Sequence, residues 1–122
     1  MAAHTKNWIT STRREAIYAR DGWCCQWCGV TVARRVSGDA LASLDHVVPQ
    51  SVYPTLVGHK VGMNASDNLV TACVRCNSTR QDMHIEAFAA HVAMVRGESV
   101  DSVVARVRNA ARLVNGERAP KR

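Results

Sequence analysis

The chain has 122 residues with a formal net charge of +6, and 47% of its residues are apolar but only 5% aromatic. That length argues for one domain, and that composition excludes a disordered or collagen-like chain. The short apolar runs exclude a transmembrane helix, and the absence of an apolar h-region at the N-terminus speaks against a secretory leader, so a cytoplasmic protein is expected. Alanine and valine, 17 of each, dominate the apolar set, so the core is built from small side chains. A modest core of that kind gains from a structural metal. The charge is uneven. Residues 1–35 carry six basic and two acidic groups, residues 36–95 three and five, and residues 96–122 seven and three. Basic ends around a mildly acidic middle suit a polyanionic partner with a local cation site, although solubility alone would also account for net charge.

In chain order, Thr12-Arg13-Arg14-Glu15 reads as a capping box, predicting a helix from about Thr12 that stops at Asp21-Gly22. Val30–Val36 and Leu41–Val47 read as two strands joined at Ser37-Gly38-Asp39, with Pro49 ending the second. Residues 50–67, rich in turn formers and without a period, read as a long loop. A short helix is predicted around Cys76–Asp82. Another follows, with Ile85, Phe88, Ala89, Val92 and Val95 on one side and Gly97 as its stop. Ser99 caps a last helix with Val100, Val103, Val104, Val107, Ala111 and Val114 on one face, ended by Asn115-Gly116. The remaining residues form a basic tail.

The five cysteines are more specific. Cys25-Gln26-Trp27-Cys28 and Cys73-Val74-Arg75-Cys76 are two CxxC knuckles, and together they supply four thiolates for one closed tetrahedral zinc site. A thioredoxin-like redox pair would need one such motif beside a βαβ pattern, which is missing. Cys24 reads as a buried free thiol, although it could replace Cys25. Trp23 and Trp27, flanking the first knuckle, are expected to pack on it more than to stack on bases.

Between the knuckles lie Leu44-Asp45-His46-Val47-Val48-Pro49, Asn68-Leu69-Val70 and Asn77. Adjacent strand residues face opposite ways, so Asp45 and His46 can serve different partners. Taken singly, these residues have simpler accounts. An Asp-His pair is usually a turn, Asn68 a loop residue and Asn77 a helix cap. Their joint placement inside a zinc frame is what points to chemistry. Structural or surface roles suit His4, His59, His84 and His91. Arg106, Arg108 and Arg112 suit either a DNA backbone or a solvated helix face.

The order Arg20-Asp21-Gly22, Cys25–Gly29, Leu44–Ser51, Asn68–Val70 and Cys73–Arg80 resembles the HNH endonucleases, over roughly residues 13–82. It is similar to the HNN variants of that family, such as the HNH domain of RNA-guided CRISPR enzymes and the phage resolvase endonucleases. The resemblance implies an α+β protein with a ββα-metal core (13–82), a structural four-cysteine zinc site, a helical extension (83–116) and a basic tail (117–122), all in one domain. It also implies a metal-dependent DNA endonuclease or nickase that leaves 5′-phosphate and 3′-hydroxyl ends. By that resemblance His46 is the general base, Asn68 pins the loop, and Asp45 and Asn77 hold one Mg²⁺ or Mn²⁺. The family's usual lysine three residues after the final motif position is Arg80 here, which keeps a cation for phosphate. The usual loop glycine pair is reduced to Gly62 with Met63. A catalytically silent zinc-stabilised DNA-binding module, and a packaging nuclease working beside a terminase-like partner, are the other readings. Oligomeric state is not legible.

Overall fold

A computed structural model describes residues 9–58 and 62–111, together with the backbone of 113–114 and 117–118. The predicted stop at Asn115-Gly116, residues 119–122 of the tail, His4, His59 and Arg112 lie outside the described residues, and the tail's first two residues are in β-structure.

The first helix, α1, spans Ser11–Arg20. Its cap is Thr10, whose hydroxyl accepts from Arg13 N at 3.2 Å, so the Thr12 capping box is corrected by two residues. The reason is local: a hydroxyl at position 10 reaches the third residue on, and Thr12 is already inside the first turn. Ile17 and Tyr18 are the buried residues of α1, and they join Ile9, Leu44 and Leu69 in a small core.

The sheet has two antiparallel strands, β1 (Ala42–His46) and β2 (Leu69–Cys73), in the register Leu44↔Thr71, Asp45↔Val70, His46↔Leu69. The expected hairpin partner, residues 30–36, is not a strand. It makes only single bridges, Cys24↔Thr31 and Ala33↔Leu41. Arg34, Arg35 and Val36 are exposed there and only Val32 is buried, so the segment has no face to pair and bury. β2 takes its place because every one of its residues is buried. A strand covered on both faces shows no alternation in sequence, which is why it escapes a period-two reading.

The outer edge of β2 is closed by two side chains and one backbone N–H. Arg20 Nη2 donates to Leu69 O at 2.7 Å, Thr71 N donates to Asp21 Oδ2 at 2.8 Å, and Gln26 N donates to Thr71 O at 2.9 Å. An open edge would leave those groups unpaired. Arg20 also pairs with Asp21, with Nε 2.8 Å from Oδ1. The Arg-Asp-Gly run thus ties α1 and the first knuckle to the sheet.

The long loop carries a one-turn helix, α2 (Tyr53–Val57), and a 3₁₀ turn, Ser66–Asn68, which its aperiodic sequence does not signal. Tyr53 is fully buried with Val48 beneath it. Then come α3 (Val74–Arg80), α4 (Ile85–Arg96) and α5 (Val100–Ala111), in the predicted order. Gly97 ends α4 at φ 71°, a left-handed conformation that favours glycine. The apolar faces of α4 and α5, with Phe88, Val92, Val103 and Val107 buried, close over Trp27, Val70 and Ala72. Val100 is exposed, so the expected stripe begins at Val103. A two-residue ladder, β3 (Leu113–Val114) with β4 (Glu117–Arg118), follows.

No helix among the described residues is long and apolar enough to cross a membrane. The result is an α+β fold in which β1, β2 and α3 form a ββα unit, flanked by α1 on one side and the α4–α5 pair on the other.

Candidate active site

The two knuckles meet. The Sγ atoms of Cys25, Cys28, Cys73 and Cys76 all lie within 4.8 Å of one another. Cys28 Sγ and Cys73 Sγ are 3.8 Å apart. A tetrahedral zinc with Zn–S bonds of about 2.3 Å separates its sulfurs by about 3.8 Å, so the cluster has the dimensions of a zinc site. In each knuckle the second cysteine's backbone N–H donates back to the first sulfur: Cys28 N to Cys25 Sγ at 3.5 Å, and Cys76 N to Cys73 Sγ at 3.4 Å. Cys73 Sγ thereby also caps α3. Gly29, at φ 83°, makes the turn out of the first knuckle. The Cys28 contact favours the Cys25 thiolate, but the Cys76 contact and burial outweigh it and push the thiol up to about 12. Cys24 lies outside this cluster. It is half-buried rather than buried, with Sγ 3.4 Å from Gly22 O.

Asp45 and His46 diverge as adjacent strand residues must. Asp45 points to the side covered by α3 and Trp27 and is 5% exposed. Its Oδ2 accepts from Trp27 Nε1 at 2.8 Å and from Arg80 Nη1 at 2.7 Å. Trp27 therefore packs, as expected, edge-on to Phe88 at 4.9 Å, but it also reaches the acid from the knuckle. Sequence spacing held no sign of that contact. Asn77, on α3, donates from Nδ2 to Leu44 O at 3.0 Å and Ser43 Oγ at 3.2 Å, which fixes the orientation of its amide. Among the described residues, Oδ1 of Asp45 and Oδ1 of Asn77 carry no hydrogen bond. Two hard oxygens on one ββα frame are the donor type that Mg²⁺ or Mn²⁺ accepts.

Arg80 corrects an expectation. It is fully buried, not turned to solvent for a phosphate. Besides Asp45, its guanidinium donates to His46 O, Val47 O and Met83 O, and it lies 4.9 Å over the Trp27 ring. A fork of fixed donors suits this three-carbonyl, one-carboxylate cradle as a lysine would not. Arg80 thus positions the end of β1 that carries both Asp45 and His46. Replacing Arg80 by Met should destabilise the fold by about 3–5 kcal/mol, because it strands a buried carboxylate. The check is urea unfolding of Arg80→Met beside Asp45→Asn/Arg80→Met, with the double variant recovering part of the loss.

His46 lies on the α1 side of the sheet. Its Nε2 is 2.6 Å from Asn64 Oδ1 and 3.2 Å from Gln50 Nε2. One ring nitrogen cannot both donate to an oxygen and accept from an amide, so the two contacts compete, and the shorter one, to Asn64 Oδ1, is the contact that an N–H at Nε2 would make. Burial pushes the imidazole below its ordinary range, while the Asn64 contact and the Asp45 charge pull the other way and Arg80 and Arg14 add to the lowering. The ring is therefore neutral at neutral pH.

Asn68 is fully buried and staples the long loop. Its Oδ1 accepts from Val48 N at 2.8 Å, and its Nδ2 donates to Val48 O at 3.2 Å and Met63 O at 2.9 Å. Arg106, expected on a DNA backbone or in solvent, is engaged inside the protein instead. It donates to Gln26 O at 2.8 Å, Trp27 O at 2.6 Å and Glu98, holding α5 to the first knuckle. His84 caps α4, with Nδ1 accepting from Glu86 N at 3.3 Å, and His91 stacks on Phe88 at 5.7 Å. Both are structural or surface roles. A cavity of about 420 Å³ opens beside the sulfurs, on the face of α3 that carries Arg75, Cys76 and Thr79, turned away from Asn77.

Residues 25–82 match the family described as HNH endonuclease. No curated protein matches the chain. Among solved structures the chain is similar to the type II-C Cas9 enzyme from Actinomyces naeslundii, with 19% identity and a TM-score of 0.47, covering 96% of this chain and 12% of that one. The matched segment holds both knuckles, β1, β2 and α3, with Asp45, His46, Asn68 and Asn77 at the places described above. The match to the HNH endonuclease family thus covers residues 25–82, the segment that holds the candidate site.

Proposed function

We propose that the whole chain is one domain acting as a metal-dependent DNA endonuclease or nickase, with His46 as general base. The observation that carries this reading is the His46 environment. A neutral imidazole is held at Nε2 by Asn64, at the end of a strand whose preceding residue, Asp45, offers an uncommitted oxygen on the same ββα frame as Asn77.

In this reading the Nδ1 lone pair of His46 takes a proton from water as that water's oxygen attacks phosphorus in line. The bond from phosphorus to the 3′ oxygen breaks and that oxygen takes up a proton from solvent water, leaving a 3′-hydroxyl and a 5′-phosphate. Asp45 Oδ1 and Asn77 Oδ1 would hold a Mg²⁺ or Mn²⁺ ion, which supplies charge neutralisation at the scissile phosphate and the leaving oxygen. Arg80 and Trp27 aim Asp45 by engaging its other oxygen. Asn68 keeps the long loop against the strand end. The four cysteines would hold a structural Zn²⁺, which clamps the first knuckle to the start of α3 and so sets Asn77 relative to β1.

The test is nicking of supercoiled plasmid by the isolated chain in Mg²⁺ or Mn²⁺, alongside Asp45→Ala and Asn77→Ala. Nicking that vanishes on brief chelation, returns with Mg²⁺, and falls at least tenfold in each variant is the expected result. It would also remove any need for a terminase-like partner. A folded, zinc-loaded chain that binds DNA and never nicks would leave the silent DNA-binding module as the function.

A further inference from the structure

We infer that Asn64 is a positioning residue for the catalytic histidine: its side-chain oxygen fixes the ring orientation and the Nε2–H tautomer of His46, and so presents Nδ1 to the attacking water. The inference deepens the reading of His46 as base and rests on it.

The geometry has three parts. The first is the contact itself. Asn64 Oδ1 lies 2.6 Å from His46 Nε2, well within hydrogen-bond range, and links residues 18 apart in sequence. Neutral imidazole has one N–H and one lone pair. An oxygen acceptor on Nε2 leaves the lone pair on Nδ1, and a ring held at one nitrogen cannot turn to present the other.

The second part is how Asn64 is itself held. An arginine of α1, Arg13, donates from Nη2 to Asn64 O. Asn68 donates to Met63 O at 2.9 Å, one residue before, and Asn68 N donates to Ala65 O at 2.9 Å, one residue after. Ala65 N donates to Gly62 O at 3.0 Å, closing the turn. The residue that reaches His46 is therefore fixed from both sides and from the neighbouring helix. This gives the buried Asn68 a consequence beyond loop packing, because it holds the segment that holds the base.

The third part is the charge setting. Groups facing the ring are the Asp45 carboxylate across the strand, the Arg80 guanidinium behind it and Arg14 from α1. A neutral amide at Asn64 orients the ring without adding a further negative charge where a phosphodiester must approach. A carboxylate would orient it equally well and repel the substrate.

The inference has a test that does not depend on turnover. In ¹⁵N-histidine-labelled protein, long-range ¹H–¹⁵N spectra distinguish the Nε2–H from the Nδ1–H tautomer. The wild type should show His46 as Nε2–H, assigned by loss of its signals in His46→Ala. Asn64→Leu should shift His46 toward a tautomer mixture, and Asn64→Asp should keep Nε2–H. In plasmid nicking, Asn64→Leu should lower kcat by about tenfold to a hundredfold with KM little changed. Asn64→Asp should keep kcat within about threefold of wild type and raise KM. Circular dichroism and zinc content should be unchanged in both.

A wild-type His46 that is Nδ1–H, or an Asn64→Leu variant with unaltered tautomer and kcat, would overturn the inference. So would equal kcat losses in Asn64→Leu and Asn64→Asp, since the acceptor oxygen would then be irrelevant. Failure of His46 as the base shows differently, as nicking that survives in His46→Ala whatever the Asn64 variants do.

Discussion

His46→Ala is expected to abolish plasmid nicking, a loss on the order of 10²–10⁴-fold, while DNA binding and folding persist. The imidazole is half-buried at the end of β1, and its polar contacts among the described residues go to two loop side chains, Asn64 and Gln50, not to the core. Truncating it removes a base and leaves the packing of Leu44 on Leu69 and of Asp45 under Arg80 in place. The pH dependence follows from the same environment. A group whose charged form is disfavoured in the fold titrates lower, so His46 stays neutral as pH falls below its ordinary 6.5. The acid limb of kcat/KM should therefore lie below 6.5 and vanish in the variant. The same shift makes the fold lose stability as pH falls from 6.5 toward the lowered value, because the unfolded chain takes up the proton first. Nicking by His46→Ala at the wild-type rate, in protein freed of contaminating nuclease, would remove His46 from the mechanism.

Loss of the zinc ligands is expected to have the largest effect on the fold. Cys25→Ser should lower zinc content, measured by atomic absorption, and thermal unfolding should shift strongly downward or lose its cooperativity. Zinc bound to four thiolates contributes about 10–16 kcal/mol in small zinc domains, comparable to or above the whole stability of a domain this size. What depends on the knuckles here is extensive. Gln26 closes the edge of β2, Trp27 holds Asp45, Cys73 caps α3, and the Gln26 and Trp27 carbonyls anchor α5 through Arg106. Without a cation, the Cys25 thiol, pushed up to about 12, is protonated at neutral pH. Binding zinc must then release protons, so zinc affinity should weaken as pH falls, as read by competition with a chromogenic chelator. An unchanged zinc-to-protein ratio in Cys25→Ser would exclude that sulfur from the site.

These two results also show the range of what the sequence revealed. The cysteine spacing was enough to bring four sulfurs together, because CxxC knuckles are local turns whose ligand chemistry is carried by residue type. Helices α4 and α5 were legible because each has one apolar face, repeating near 3.6 residues, against the other and against Trp27. The short helix α3 was legible within two residues from its place directly after the second knuckle. Strand β1 was legible, but its partner was misplaced. Val30–Val36 has the composition of a strand and nowhere to bury it, whereas Leu69–Cys73 is buried on both faces and shows no alternation.

The site divides along the same line. Sequence by itself determined the residue types: an acid beside an imidazole, two asparagines, and four thiols in a fixed order. Those are properties of spacing, and spacing survives folding. Only the tertiary structure decided what each polar atom does. It turned Arg80 inward onto Asp45 and three carbonyls, spent Arg106 on the knuckle, and brought Asn64 to His46 from 18 positions further along the chain. Such contacts depend on which donor lies within about 3 Å of which acceptor once the core has closed. A long polar side chain has no periodicity by which its destination could be read in advance.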